Sequence, residues 1–215
     1  MAIISKDNTL EWVAYLVIGY LGLGFLPGIC LILLDNDFSS LIKFPLALLA
    51  SGATLYAFKK YLGWYVEDGA RLSAFGQIHK VGVGWLVSAL YLFTILICLF
   101  ATRHYSVAHL NFNLDHQLSW LSIFLLAAVI EEITARGILF RLITEKWNVV
   151  VGLVVSSIIF GFVHLFNPNA TALSCVRIAI TGGWLCAIAY AYHRTLWVPI
   201  GIHWAWNFIQ IGRAH

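Results

Sequence analysis

Charge is what this 215-residue sequence has least of: Asp, Glu, Lys and Arg together make up 11 % of it. Soluble domains carry about 25 %. With 61 % hydrophobic residues and a mean hydropathy of +0.86, the chain falls outside that class and reads as an all-α, polytopic membrane protein. The net charge of +3 is small and scattered, which argues against a nucleic-acid partner and leaves positive charge as a record of topology. Cysteine is scarce too. Cys30, Cys98, Cys175 and Cys186 lie inside apolar segments with no C-x-x-C pair, so they read as small core residues rather than disulfides or zinc ligands. The zinc-binding pattern HExxH is missing. The N-terminus lacks a short apolar core followed by a cleavage site, so no removable signal peptide is expected. Neither an internal repeat nor a low-complexity linker interrupts the chain, which implies one structural domain.

What is present is a series of apolar runs, each near the ~20 residues that a membrane crossing needs. They cover residues 12–34, 41–58, 81–102, 118–142, 149–166, 174–192 and the shorter 195–211, predicting about seven transmembrane helices. Gly24 and Gly28 make a small-xxx-small pair suited to close helix packing, and Pro27 predicts a kink in the first run. Nine Trp and nine Tyr suit interfacial belts. The most charged loop holds Lys59, Lys60, Glu67, Asp68, Arg71 and Lys80. A cytoplasmic N-terminus puts these cations inside with Arg141, Lys146 and Arg194, leaving Lys43, Arg103 and Arg177 outside, so the positive-inside rule favours that orientation. His104, His109 and His116 are spaced five and seven apart in a loop, too loosely for a ligand set, and read as solvated.

Three polar clusters interrupt runs that need nothing polar. The first is Glu131-Glu132-x-x-x-Arg136. Each acid in a membrane-grade helix costs roughly 2.5–3.5 kcal/mol on insertion scales. Helical neighbours point about 100° apart, so the two acids cannot share one partner. Glu132 and Arg136 stand at i and i+4 in the favourable order, which leaves Glu131 as the carboxylate without a local countercharge. The plainer alternative is a cytoplasmic helix end whose charges snorkel to water. The second cluster is Phe160-Gly-Phe-Val-His164, and the third is His203-Trp-Ala-Trp-Asn207; in each, the first and last residues share a helix face. Three helices aiming Glu, His, His and Asn inward would build a polar pocket inside the bilayer.

The ordered trio EEITAR (131–136), FGFVH (160–164) and HWAWN (203–207) resembles the CPBP family of intramembrane endopeptidases, the CAAX proteases and bacteriocin-processing enzymes. The resemblance spans about residues 118 to 211. It implies a catalytic core in residues 118–215, formed by the last four helices, preceded by a three-helix membrane region in residues 1–117. It further implies hydrolysis of a peptide bond by an activated water. On the matching positions Glu131 is the catalytic glutamate, His164 its partner in activating water, and His203 with Asn207 the pair that steadies the oxyanion. Glu132, Arg136 and Phe160 are supporting residues. The physical reading agrees: amide and imidazole N–H groups suit an oxyanion hole, and an apolar setting suits a general base.

Glu131, His164 and His203 would also make a His₂-carboxylate zinc set. A metal-free mechanism is favoured, because ligands on three helices demand exacting assembly. The implied partners are the lipid bilayer and a peptide or protein substrate, with a prenylated tail, a leader peptide or a sorting tail as candidates. A proton-coupled transporter is the competing function, with Glu and His as a relay, though no inverted repeat supports it. A non-catalytic membrane protein that binds a peptide or prenyl tail is another. One difficulty stands. Counted from the starts of their spans, Glu131 lies about 20 Å from one face and His164 about 22 Å from the other, so in a ~30 Å core they would miss by roughly 12 Å.

Overall fold

A computed structural model of the chain describes residues 8–34, 38–65, 77–107 and 112–210. Those residues form seven helical rods and no strand. They are α1 (Thr9–Leu34), α2 (Ser40–Tyr65) and α3 (Lys80–Ala101), then α4, which starts at Leu114 and ends at Lys146. After them come α5 (Val149–Val163, extended by a 3-10 turn to Phe166), α6 (Ala172 to His193) and α7 (Trp197–Ile209). Five of these, α1, α2, α3, α5 with its extension and α6, are long and apolar enough to cross a membrane, and the protein is an integral membrane protein.

The two other expected crossings depart from the sequence reading. Helix α7 has 13 residues, about 20 Å at 1.5 Å per residue, because Arg194 takes a left-handed turn (φ 53°) that ends α6 and delays the next start to Trp197. Helix α4 is longer than expected. It comprises 19 residues of α-helix, eight of π-helix (Ile133–Phe140) and six more of α-helix. Asn113 caps its start by accepting from the His116 N–H, and Asp115 in its first turn accepts the Ser40 N–H that opens α2. Those polar residues look like loop until their tertiary partners are known.

Helix α4 is the axis of the bundle: α1, α2, α5 and α7 pack on it, and α6 touches its π segment. Every residue from Ile133 to Phe140 is buried. The main core cluster gathers around it, including Phe58, Tyr61, Ile133, Ile138, Leu142 and Ile200. The five apolar rods, by contrast, bury only 17 % to 28 % of their most apolar windows, and their outer faces present residues such as Leu49, Leu90, Phe93 and Ile158. Bare apolar faces of that extent are what a bilayer covers.

Close crossings set the positions of the outer rods. A methyl on Gly84 would strike the backbone oxygen of Val198, and one on Gly201 would strike that of Val81, so α3 and α7 meet backbone to backbone. Of the expected pair on α1, only Gly24 meets a neighbour, Thr134; Gly28 has open space, and the closer approach is at Gly19, under the Tyr61 ring. Tyr15 and Tyr61 stack at 4.1 Å, and each hydroxyl donates to the other's backbone carbonyl, clasping α1 to α2. Cys175 and Cys186 are buried, but Cys98 is exposed on the outer face of α3, where an apolar side chain costs nothing against lipid. Lys59 and Lys60 lie on α2, which runs further than its apolar stretch because Tyr61 and Leu62 pack inward. Glu67, Asp68, Arg71, His109 and Ile211 lie outside the described residues.

Candidate active site

The three polar clusters converge beside the π segment of α4. A single turn at residues 147–148, with Asn148 capping α5 by accepting the N–H groups of Val150 and Val151, joins α4 to α5. Glu131 and His164 each lie fifteen residues from that turn, one before Lys146 and one after Val149. Both therefore stand roughly 22 Å from it at 1.5 Å per residue, which removes the depth mismatch. The shared turn is the correct origin, and α4 extends beyond its apolar stretch to reach it.

Adjacent in sequence, the two acids occupy different environments. Glu132 is fully buried, and its Oε1 accepts from Arg136 Nη1 at 2.6 Å and from His203 Nδ1 at 2.8 Å. Arg136 is 1 % exposed, so these charges do not snorkel to water. Its Nη2 donates to the carbonyls of Gly182 and Gly183 at 2.9 Å each, and its guanidinium lies 4.4 Å from the centre of the Phe160 ring. Gly182 and Gly183 belong to a second π segment, Ala179–Trp184 in α6. A methyl on Gly183 would press on Ser157, so the absence of a side chain lets α6 bring those carbonyls to the arginine. Paired and hydrogen-bonded in this way, the buried charges are tolerable.

Glu131 faces an open side. It lines a cavity of about 190 Å³ with Tyr20, Thr134, Phe160, His164 and Asn167. Its Oε2 is inaccessible to solvent and has no hydrogen-bond partner, yet it lies 3.6 Å from His164 Nε2 and 3.7 Å from His203 Nε2. The ring tautomers follow from the other nitrogens. His164 Nδ1 is 2.7 Å from the Phe160 carbonyl, which only accepts, so that nitrogen carries the proton and Nε2 presents its lone pair. His203 Nδ1 likewise donates to Glu132. Phe160 stands between the rings, 4.8 Å from His164 and 5.9 Å from His203 centre to centre. Asn207, one turn beyond His203, is not part of the lining of the Glu131 cavity; it lines a second cavity of about 180 Å³ with His164, Cys186, His203, Trp206 and Gln210.

The structure thus brings Glu131, His164 and His203 together, sets Glu132, Arg136 and Phe160 behind them, and places Asn207 on the neighbouring cavity. Sequence reading missed the two π segments, the carbonyls of Gly182 and Gly183, and Tyr20. Only the Gly182-Gly183 pair in mid-span carried a signal, as a mark of close backbone approach.

No curated protein and no solved structure matches the chain. Residues 113–209 match the family model described as type II CAAX prenyl endopeptidase Rce1-like, a segment that begins at the cap of α4, ends with α7 and contains all three clusters. Over those residues the chain is similar to the Rce1-like type II CAAX prenyl endopeptidases, in line with the CPBP resemblance of the three motifs.

Proposed function

We propose that this protein is an intramembrane endopeptidase that hydrolyses a peptide bond in a membrane-associated or C-terminal-tail substrate, using a water activated by Glu131 and His164. The observation that carries the reading is the buried Glu131 Oε2, without a hydrogen bond and flanked at 3.6 and 3.7 Å by two imidazole Nε2 atoms. A water within hydrogen-bond distance of Glu131 Oε2 and His164 Nε2 loses a proton to the carboxylate as its oxygen attacks the carbonyl carbon. The Phe160 carbonyl holds His164 in the tautomer that accepts. His203 and Asn207 stabilise the oxyanion, His203 as the imidazolium, with its Nε2–H toward the oxyanion and its Nδ1–H on Glu132. The C–N bond then breaks, and Glu131 returns its proton to the leaving amine. Glu132, Arg136 and the Gly182 and Gly183 carbonyls keep His203 in register.

Zinc remains a test of this mechanism. Its ligands would be Glu131, His164 and His203, the His₂-carboxylate set that meets at Glu131 Oε2. No step above runs through a metal.

The family name points to a prenylated C-terminal tail as substrate. The test is purified protein in lipid nanodiscs, with a prenylated CAAX peptide, its unprenylated twin and a leader-type peptide, read by mass spectrometry. Cleavage of the prenylated peptide is expected, with a loss of about 10²–10⁴-fold in Glu131→Gln and His164→Ala at unchanged expression and melting temperature. Normal processing by both variants would overturn the reading. Activity lost to a chelator and restored by zinc would replace the metal-free mechanism.

A further inference from the structure

The cavity in front of Glu131 has a wall that the family match does not include. Helix α1 lies before residue 113, yet its Tyr20 lines that cavity together with Glu131 and His164. The placement follows from how α1 sits on α4. Gly24 lets α1 ride against the π segment, its missing Cβ only 3.1 Å from Thr134 Cγ2. Tyr20 is one turn away on the same face of α1, and so opens onto the same cavity.

Among the tyrosines facing the bundle interior on α1 and α2, Tyr20 differs from Tyr15 and Tyr61. The hydroxyls of those two are engaged with backbone carbonyls and hold α1 to α2. Tyr20 makes no hydrogen bond with any described residue, and it is half-buried on the wall of the cavity that Glu131 and His164 also line. A phenol without a protein partner beside the reactive carboxylate is free to donate to a peptide oxygen that enters the cavity.

We infer that Tyr20 is a substrate-binding residue: its O–H donates to an oxygen of the peptide, on the part of the substrate that occupies the Glu131 cavity. The acceptor is a backbone carbonyl or the C-terminal carboxylate. The inference rests on the peptidase reading above, and it makes α1 part of the site rather than a membrane anchor for it.

The experiment uses the full-length protein in nanodiscs and the prenylated CAAX peptide in two forms, with a free C-terminal carboxylate and with a C-terminal amide. Affinity for each is measured in a Glu131→Gln background, so that binding is read without turnover, and KM and kcat are measured in the otherwise native chain. Tyr20→Phe keeps the ring and removes the donor. It is expected to weaken binding and raise KM by about five- to tenfold while kcat changes less than twofold. An equal effect on both peptides assigns the acceptor as a backbone carbonyl; an effect confined to the free acid assigns the carboxylate. Affinity and KM within twofold of the parent for both peptides would overturn the inference, as would a fall in kcat at constant KM with a lowered melting temperature. No measurable peptide binding to the Glu131→Gln protein would overturn it as well. Cleavage by Glu131→Gln itself would remove the peptidase mechanism and leave the Tyr20 binding result standing by its own measurement.

Discussion

Helices α3 and α4 of this protein solve the same problem in opposite ways. Helix α3 has no charged residue after Lys80 and exposes Leu90, Phe93 and Ile97 along its outer face, with Gly84, Ser88 and Leu92 buried. Lipid covers what protein does not, and composition alone makes the helix stable there. Helix α4 carries Glu131, Glu132 and Arg136 in mid-course and has protein around its entire π segment. Glu132 and Arg136 are tolerated because each finds partners: Arg136 reaches one carboxylate and two carbonyls, and Glu132 Oε1 receives an arginine and an imidazole. One helix is stabilised by its solvent and the other by its neighbours.

That contrast predicts a steep gradient of mutational effects. Arg136→Ala is expected to cost the most, about 3–5 kcal/mol of stability, because it strips Glu132 of its countercharge in a fully buried site. Thermal unfolding in detergent checks it, and a melting temperature close to the parent's would show that the network contributes little. Next is the crossing where the two environments meet. Gly201→Ala pushes a methyl into the Val81 carbonyl and should cost about 1–3 kcal/mol, with reduced cleavage because His203 is two residues on. The smallest effect belongs to the outer face of α3, where Leu90→Ile should change stability by less than about 0.5 kcal/mol. A large loss there would mean that a protein surface, not lipid, covers that face.

Much of the outer architecture was legible because hydropathy reports directly on lipid contact. Helix α3, expected at residues 81–102, runs from Lys80 to Ala101. The boundaries of α4 were less legible, since its first turn is held by the Asn113 cap and by the bond of Asp115 to the Ser40 N–H, a contact across 75 residues. The site residues announced themselves as polar interruptions, but their relative depth did not. Measuring from the ends of apolar runs separated Glu131 from His164, whereas the turn at residues 147–148 places them at one level. Tyr20 was invisible for a different reason: in an apolar run it looks the same as Tyr15, and only packing shows that one is engaged in the α1–α2 clasp while the other lines the cavity.

By itself, then, the order of residues determined that the chain enters a bilayer, and that a carboxylate, two imidazoles and an amide are spread over three helices, His203 and Asn207 sharing the last. Charge scarcity and helical spacing are local properties, so local sequence carries them. The tertiary structure alone decided that Glu132 is enclosed by Arg136 and His203 while Glu131 is left facing a cavity. Residues one apart on a helix diverge by about 100°, but which direction holds a partner depends on where the other helices lie.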